Sequence, residues 1–289
     1  MTAVLADELG PRARRRVLIA SIVSGLVLLA VVVGALSRLR DQGQLEADLW
    51  EPFTKWPEFR FLLLGLKENV RIALVAMGLS MAIGMVLALG RLAQTAPVRW
   101  AFTAWVEFFR GLPVLLLIFF SFLMLPRYGL DWPAFWYVVL GLTLYNSAVL
   151  GEIFRAGILS LERGQMEASL AIGLTYWKAM RLVVVPQALR RMIPAIVSQL
   201  VTLLKDTSLA FIIAYPELLR HANILGTARK NILQSLFVAA LLFLVVNLVL
   251  SRIARRLEVR QRRRYSAGAI AVSGVEDLAA NAAEAESKV

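Results

Sequence analysis

The sequence predicts an all-α integral membrane protein with about six membrane-spanning helices, and three observations predict it. The 289 residues are 59% hydrophobic with a mean hydropathy of +0.68, more apolar surface than a soluble core needs. The apolar residues gather into runs at roughly 17–36, 70–91, 101–125, 134–154, 192–215 and 231–251. Each is near the ~20 residues that carry a helix across a ~30 Å hydrocarbon core. No run shows the two-residue alternation of a barrel strand. In a bilayer every backbone polar group must be paired internally, so the runs read as helices.

The charge pattern orients them. The chain carries 32 Lys and Arg against 20 Asp and Glu, a net charge of +12. With the N-terminus in the cytoplasm, the inner segments hold about twice the Lys and Arg of the outer ones, as the positive-inside rule requires. Both termini are then cytoplasmic, and the basic excess faces membrane lipid; no nucleic acid is predicted as a partner. There is no cysteine, which excludes disulfides and thiolate chemistry. The single histidine, His221, falls in a predicted outer loop without partners for a metal site.

Residues 1–16 form a basic cytoplasmic arm, and 17–36 the first helix. That run is longer than a signal-peptide core, and Ser37-Arg38 is a poor cleavage context, so it is read as retained. Residues 37–64 form an extracytoplasmic segment whose Trp50, Phe53, Trp56 and Phe59 suit the membrane–water interface. Gly65 to Asn69 leads into the second helix. In the third run, Glu107 and Arg110 are three apart and share a helical face. Gly111 and Pro113 follow. This is either a snorkelling ion pair before an ordinary proline or a broken helix lining a pathway.

The fourth span ends in Tyr145-Asn146-Ser147, then Glu152 and Arg155. The fifth contains Lys205-Asp206-Thr207-Ser208 near its middle. A charge at the bilayer centre costs ~2.5–3.5 kcal/mol, and adjacent residues diverge by ~100° on a helix. At least one of Lys205 and Asp206 must therefore face protein or a wet cavity. The pair either neutralises itself and joins helices or forms the polar wall of a transport path. The sixth span is almost wholly aliphatic, and residues 256–289 read as a largely disordered cytoplasmic tail.

Between the fourth and fifth spans lies a predicted cytoplasmic loop, 156–191. Met166 to Ile172 is expected to be a short helix with Glu167 in its first turn and Gly173 as a left-handed stop. Thr175 is placed to cap the next helix, which is expected to end near Val185 because Pro186 follows. Ala168, Ser169 and Ala171 give the short helix a small-residue surface open to another protein.

These residues resemble a specific pattern. Glu167-Ala168-Ser169, three residues, Gly173, nine residues, then Val183-Val184-Val185-Pro186 is similar to the E-A-A, G, I-x-L-P loop of bacterial ABC importer permeases. Ser169 and the valines are mild departures. Val106 to Val114, the block from Tyr145 to Gly157, Arg163-Gly164-Gln165-Met166-Glu167-Ala168 and Lys205-Asp206-Thr207-Ser208-Leu209 resemble the branch that imports polar amino acids. Together they cover about residues 65–255, most like the permeases that import glutamate.

The resemblance implies a type I ABC importer permease, with an extra helix at 17–36 before a five-helix core at 65–255. It implies a bacterial cytoplasmic membrane, a second permease subunit as homo- or heterodimer, and an extracytoplasmic amino-acid-binding protein. Glu167, Ala168, Ser169, Gly173 and Pro186 would couple to a pair of ATP-binding subunits. The translocation path would draw on Arg110, Gly111, Pro113, Asn146, Glu152, Lys205, Asp206, Thr207 and Ser208. The sequence has no G-x-x-x-x-G-K-[ST], so ATP and Mg would be bound by the partner ATPase, with no cofactor or catalysis in this chain. An ion-gradient-driven secondary amino acid transporter is the alternative. It would explain the intramembrane charges but not the spacing of the loop.

Overall fold

The computed structural model of the chain describes residues 10–161, 163–257 and 259. Residues 1–9 of the basic arm, and the 256–289 tail apart from 256, 257 and 259, lie outside the described residues. The described chain is helical: α1 (Pro11–Asp41), α2 (Trp56–Arg91), α3 (Ala96–Gly111), α4 (Val114–Met124), α5 (Ala134–Leu159) and α6 (Arg163–Ala171). It continues with α7 (Tyr176–Ile213), α8 (Leu218–Arg229) and α9 (Ile232–Leu257). Prolines open α1, α2 and α3, where a missing N–H costs nothing because the first turn has no acceptor for it.

Among the described residues, α1, α2, α5, α7 and α9 are each long and apolar enough to cross a membrane, and the bent pair α3–α4 makes a sixth if counted as one span. The core lies between α2 and α5, where Ile72, Leu142, Leu150 and Phe154 are fully enclosed. Without a hydrophobic drive between helices in lipid, close backbone approach supplies the packing energy. Glycines permit it here. A Cβ on Gly84 would lie 3.0 Å from the Leu150 side chain, and one on Gly141 would lie 2.6 Å from the Ile118 nitrogen of α4.

α1 stands apart, exposed on every side. The chain that leaves it is nevertheless stitched to the start of α9. Gln234 Nε2 donates to the Gln44 carbonyl at 2.6 Å, Asn231 Nδ2 donates to the Leu49 carbonyl at 2.8 Å, and Trp50 meets Phe237 edge-on. Buried amides thus hold the aromatic segment that composition alone placed at an interface.

Three expectations need correction. The second helix begins at Trp56, so Gly65 to Asn69 sit inside it rather than leading into it. Pro186 does not end a helix near Val185, because α7 runs on through it. A π-helical turn at Met180–Val184 immediately precedes it and absorbs the N–H that proline lacks and the room its ring needs. His221 lies on α8, not in a loop, with its ring 4.1 Å from that of Phe61.

Candidate functional site: a two-signed cavity and an exposed knob

The third apolar run is broken. Pro113 excludes Leu112 from the helical region, and both adopt extended backbone. α3 and α4 consequently meet at 97°. Of the two sequence readings, the broken helix describes the chain, and the carboxylate nearest Arg110 is Glu152 of α5, at 4.0 Å, rather than Glu107.

The bend opens a cavity of about 490 Å³. Arg110, Gly111, Leu112, Pro113 and Val114 form one wall, Tyr145 and Val149 of α5 a second, and Gln199, Thr202 and Asp206 of α7 a third. A cation and an anion therefore share one apolar-backed space with an amide, a hydroxyl and a phenol. Asn146 stands behind the wall. It is buried, donates to the Leu142 carbonyl at 2.8 Å, and accepts from Gln199 Nε2 at 2.8 Å, which fixes the amide that faces the cavity.

Glu152 lies beside the cavity rather than lining it. It accepts a hydrogen bond from Arg91 at the end of α2 and one of 2.6 Å from Arg155 Nη2, one turn along its own helix. Arg110 completes a ring of three arginines around one carboxylate.

The Lys205-Asp206-Thr207-Ser208 segment divides its tasks. Asp206 faces the cavity and Lys205 is exposed, with no ion pair between them among the described residues. The self-neutralising pair is therefore not what the chain builds. Thr207 is buried away from the cavity: its Oγ1 donates to the Leu204 carbonyl at 2.6 Å and accepts from Asn69 Nδ2 at 2.8 Å. Ser208 donates to the Lys205 carbonyl at 2.8 Å. Here α7 tightens into a 3₁₀ turn, Thr207–Ile213.

Asn69 goes further, accepting the Leu218 N–H at 2.9 Å and donating to Glu217 at 3.3 Å. Glu217 is fully buried and caps α8 by accepting from Leu219 and Arg220. Burial pushes its carboxyl up, while those donors and Asn69 pull it down. Neither residue was singled out from the sequence. Glu217 carried a usable signal, an acceptor just before a helix start.

The loop after α5 folds as a knob. α6 ends in a Schellman arrangement: the Leu174 N–H bonds the Ser169 carbonyl, the Gly173 N–H bonds the Leu170 carbonyl, and Gly173 has φ +87°. Glu167 and Ala168 are exposed, but Ser169 is not part of an open small-residue surface. It is turned into the protein and donates to the Gln165 carbonyl at 2.7 Å. What is open is apolar: Ile172 is 79% exposed, and Leu170 and, past the Gly173 turn, Trp177 are exposed too. Thr175 occupies the cap position of α7 without a side-chain bond. Gln187, next to Pro186, donates to Gln165 at 3.1 Å and ties the knob to α7.

The family described as binding-protein-dependent transport system inner membrane component matches residues 72–263. The chain belongs to this family. Among its relatives is the glutamate transport system permease protein GluD of Corynebacterium glutamicum, 38% identical over 229 residues, which span 78% of this chain and 84% of that one. A second is the probable glutamine ABC transporter permease protein GlnP of Bacillus subtilis, 42% identical over 204 residues, 70% of this chain and 94% of that one. The crystal structure of an amino acid ABC transporter with histidines superposes with a TM-score of 0.65 at 27% identity, covering 70% of this chain and 94% of the solved one. The chain is thus a multi-pass permease subunit of an amino acid ABC importer. Permeases of this family perform no catalysis, the ATPase being a separate chain.

Proposed function

We propose that the cavity at the α3–α4 bend is part of the translocation path and that the amino acid passing it is glutamate. The observation that carries the reading is the placement of Arg110 and Asp206 in one space of about 490 Å³. An α-amino acid presents a carboxylate and an ammonium a few ångströms apart. Arg110 offers planar donors to the first and Asp206 an acceptor to the second. Gln199, Thr202 and Tyr145 supply uncharged polar contacts, and the glycine and proline of the bend keep side-chain bulk away.

Glutamate is favoured by likeness: one relative is named for glutamate transport, and the relative named for glutamine defines the competing substrate.

The knob at Glu167 to Gly173 is the coupling element. Its exposed Ile172, Leu170 and Trp177 present apolar anchors of the kind a short helix inserts into a groove. The partner is a pair of ATP-binding subunits, which hold ATP and Mg. Gly173 sets the turn and Pro186 lies in the arm that transmits motion to α7. A second permease subunit closes the path, an extracytoplasmic binding protein delivers substrate, and the assembly sits in a bacterial cytoplasmic membrane with both termini inside.

The test is uptake of labelled glutamate into vesicles that contain the permease, its ATPase and its binding protein. Uptake that requires ATP, is competed better by glutamate than by glutamine, and is lost in Arg110→Gln supports the reading. Uptake without the ATPase, driven by sodium or protons, overturns it in favour of a secondary transporter.

A further inference from the structure

We infer that Glu152 is the internal competitor for the substrate carboxylate: it holds Arg110 when the cavity is empty and yields it when the cavity fills. This rests on the proposed role of Arg110. The three arginines around Glu152 are not equivalent. Arg91 is 11% exposed and hydrogen-bonded, Arg155 is 31% exposed with a 2.6 Å bond, and Arg110 is 47% exposed and stands 4.0 Å away. Only Arg110 also lines the cavity.

Exchange is therefore cheap in one direction. When a carboxylate takes Arg110, Glu152 keeps Arg91 and Arg155, so no charge is left buried and unpaired, the condition that makes breaking an ion pair costly. Arg91 and Arg155 supply hydrogen bonds to both carboxylate oxygens without Arg110. The exchange also severs an ionic contact between α3 and α5, one residue before Gly111 of the 97° bend. Cavity occupancy and the tie between these helices are thus mutually exclusive uses of one guanidinium. By linkage, whatever weakens the tie strengthens substrate binding.

Labelled glutamate binding to the purified permease–ATPase complex, without the binding protein, tests this. Glu152→Gln removes the competitor and is expected to tighten glutamate binding by about tenfold, within the usual range of coupling between sites. Glu152→Asp retracts the carboxylate from Arg110, keeps Arg155 within reach, and is expected to tighten binding by a smaller factor. The Arg110→Gln, Glu152→Gln double variant should lose the gain. A merely structural Glu152 would lower thermal stability and leave affinity unchanged or weaker. Unchanged or weaker binding in a folded Glu152→Gln or Glu152→Asp complex overturns the exchange. Wild-type binding in Arg110→Gln overturns the cavity assignment itself, which separates the two failures.

Discussion

Asn69 donates its Nδ2–H to Thr207 Oγ1 at 2.8 Å, joining α2 to the start of the 3₁₀ turn of α7 across 138 residues of sequence. The same side chain accepts the Leu218 N–H at the start of α8. One buried amide thus ties three elements, and the threonine of the Lys205 to Ser208 segment serves the fold while its aspartate faces the cavity.

Asn69→Ala orphans the Leu218 N–H and the Thr207 hydroxyl acceptor at once. A buried unsatisfied group costs about 1–3 kcal/mol, so the loss should reach the upper part of that range. Thr207→Val removes two bonds, the one accepted from Asn69 and the one donated to the Leu204 carbonyl, and should cost about 1–3 kcal/mol. Because the two share a hydrogen bond, the double variant should lose less than the sum. Thermal unfolding in detergent reads all three; strict additivity would show that the Asn69–Thr207 bond contributes nothing.

Gly173 has φ +87°, and nothing lies within 4 Å of where a Cβ would be. The cost of substitution is then backbone strain alone. Gly173→Ala should cost about 1–2 kcal/mol locally. Gly173→Pro demands φ near −65°, which the Schellman turn does not allow. It should leave membrane insertion intact and abolish ATP-dependent uptake. Normal uptake in Gly173→Pro would remove the coupling role of the knob.

The spans and the knob were legible because each rests on local chemistry, long apolar runs and the left-handed freedom of Gly173. Pro113, by contrast, marked the third run as interrupted without deciding between a snorkelling pair and a broken helix. What failed to show was set by distant partners. Pro186 reads as a terminator until the π-helical turn before it is seen, and that turn is held by packing of Met180 and Val184 in the core. Ser169 looks like part of a small-residue surface, but a helix of nine residues has an inner face, and only the neighbouring elements decide which it is. Arg91 reads in the sequence as one basic residue among many at a helix end; its meaning appears only when α5 brings Glu152 to it.

His221 gives a pH dependence outside the candidate spans. Burial against Phe61 and Gly65 pushes its imidazole below the ordinary value of 6.5, and nearby Glu68 offsets this only in part. The folded state therefore resists protonation more than the unfolded one. Above pH 6.5 both states are neutral and stability is full; as pH falls below 6.5, the unfolded chain takes up the proton first and stability drops. Thermal unfolding between pH 7.5 and 5 should show this decline, and His221→Phe should flatten it. An unaltered decline in His221→Phe would assign the dependence to another group.

Lys205 and Asp206 are adjacent, yet their variants should behave differently. Asp206 lines the cavity with Arg110, so Asp206→Asn removes the acceptor for a substrate ammonium while preserving size. Charged hydrogen bonds contribute about 1.5–3 kcal/mol, so uptake efficiency should fall by roughly ten- to hundredfold. Lys205 is exposed and makes no ion pair with Asp206, so Lys205→Ala should impair transport less. The informative comparison is substrate-stimulated ATP hydrolysis with thermal stability measured alongside. If Asp206→Asn transports normally and only unfolds at lower temperature, the aspartate is a packing residue and the two-signed cavity has no role in recognising an amino acid.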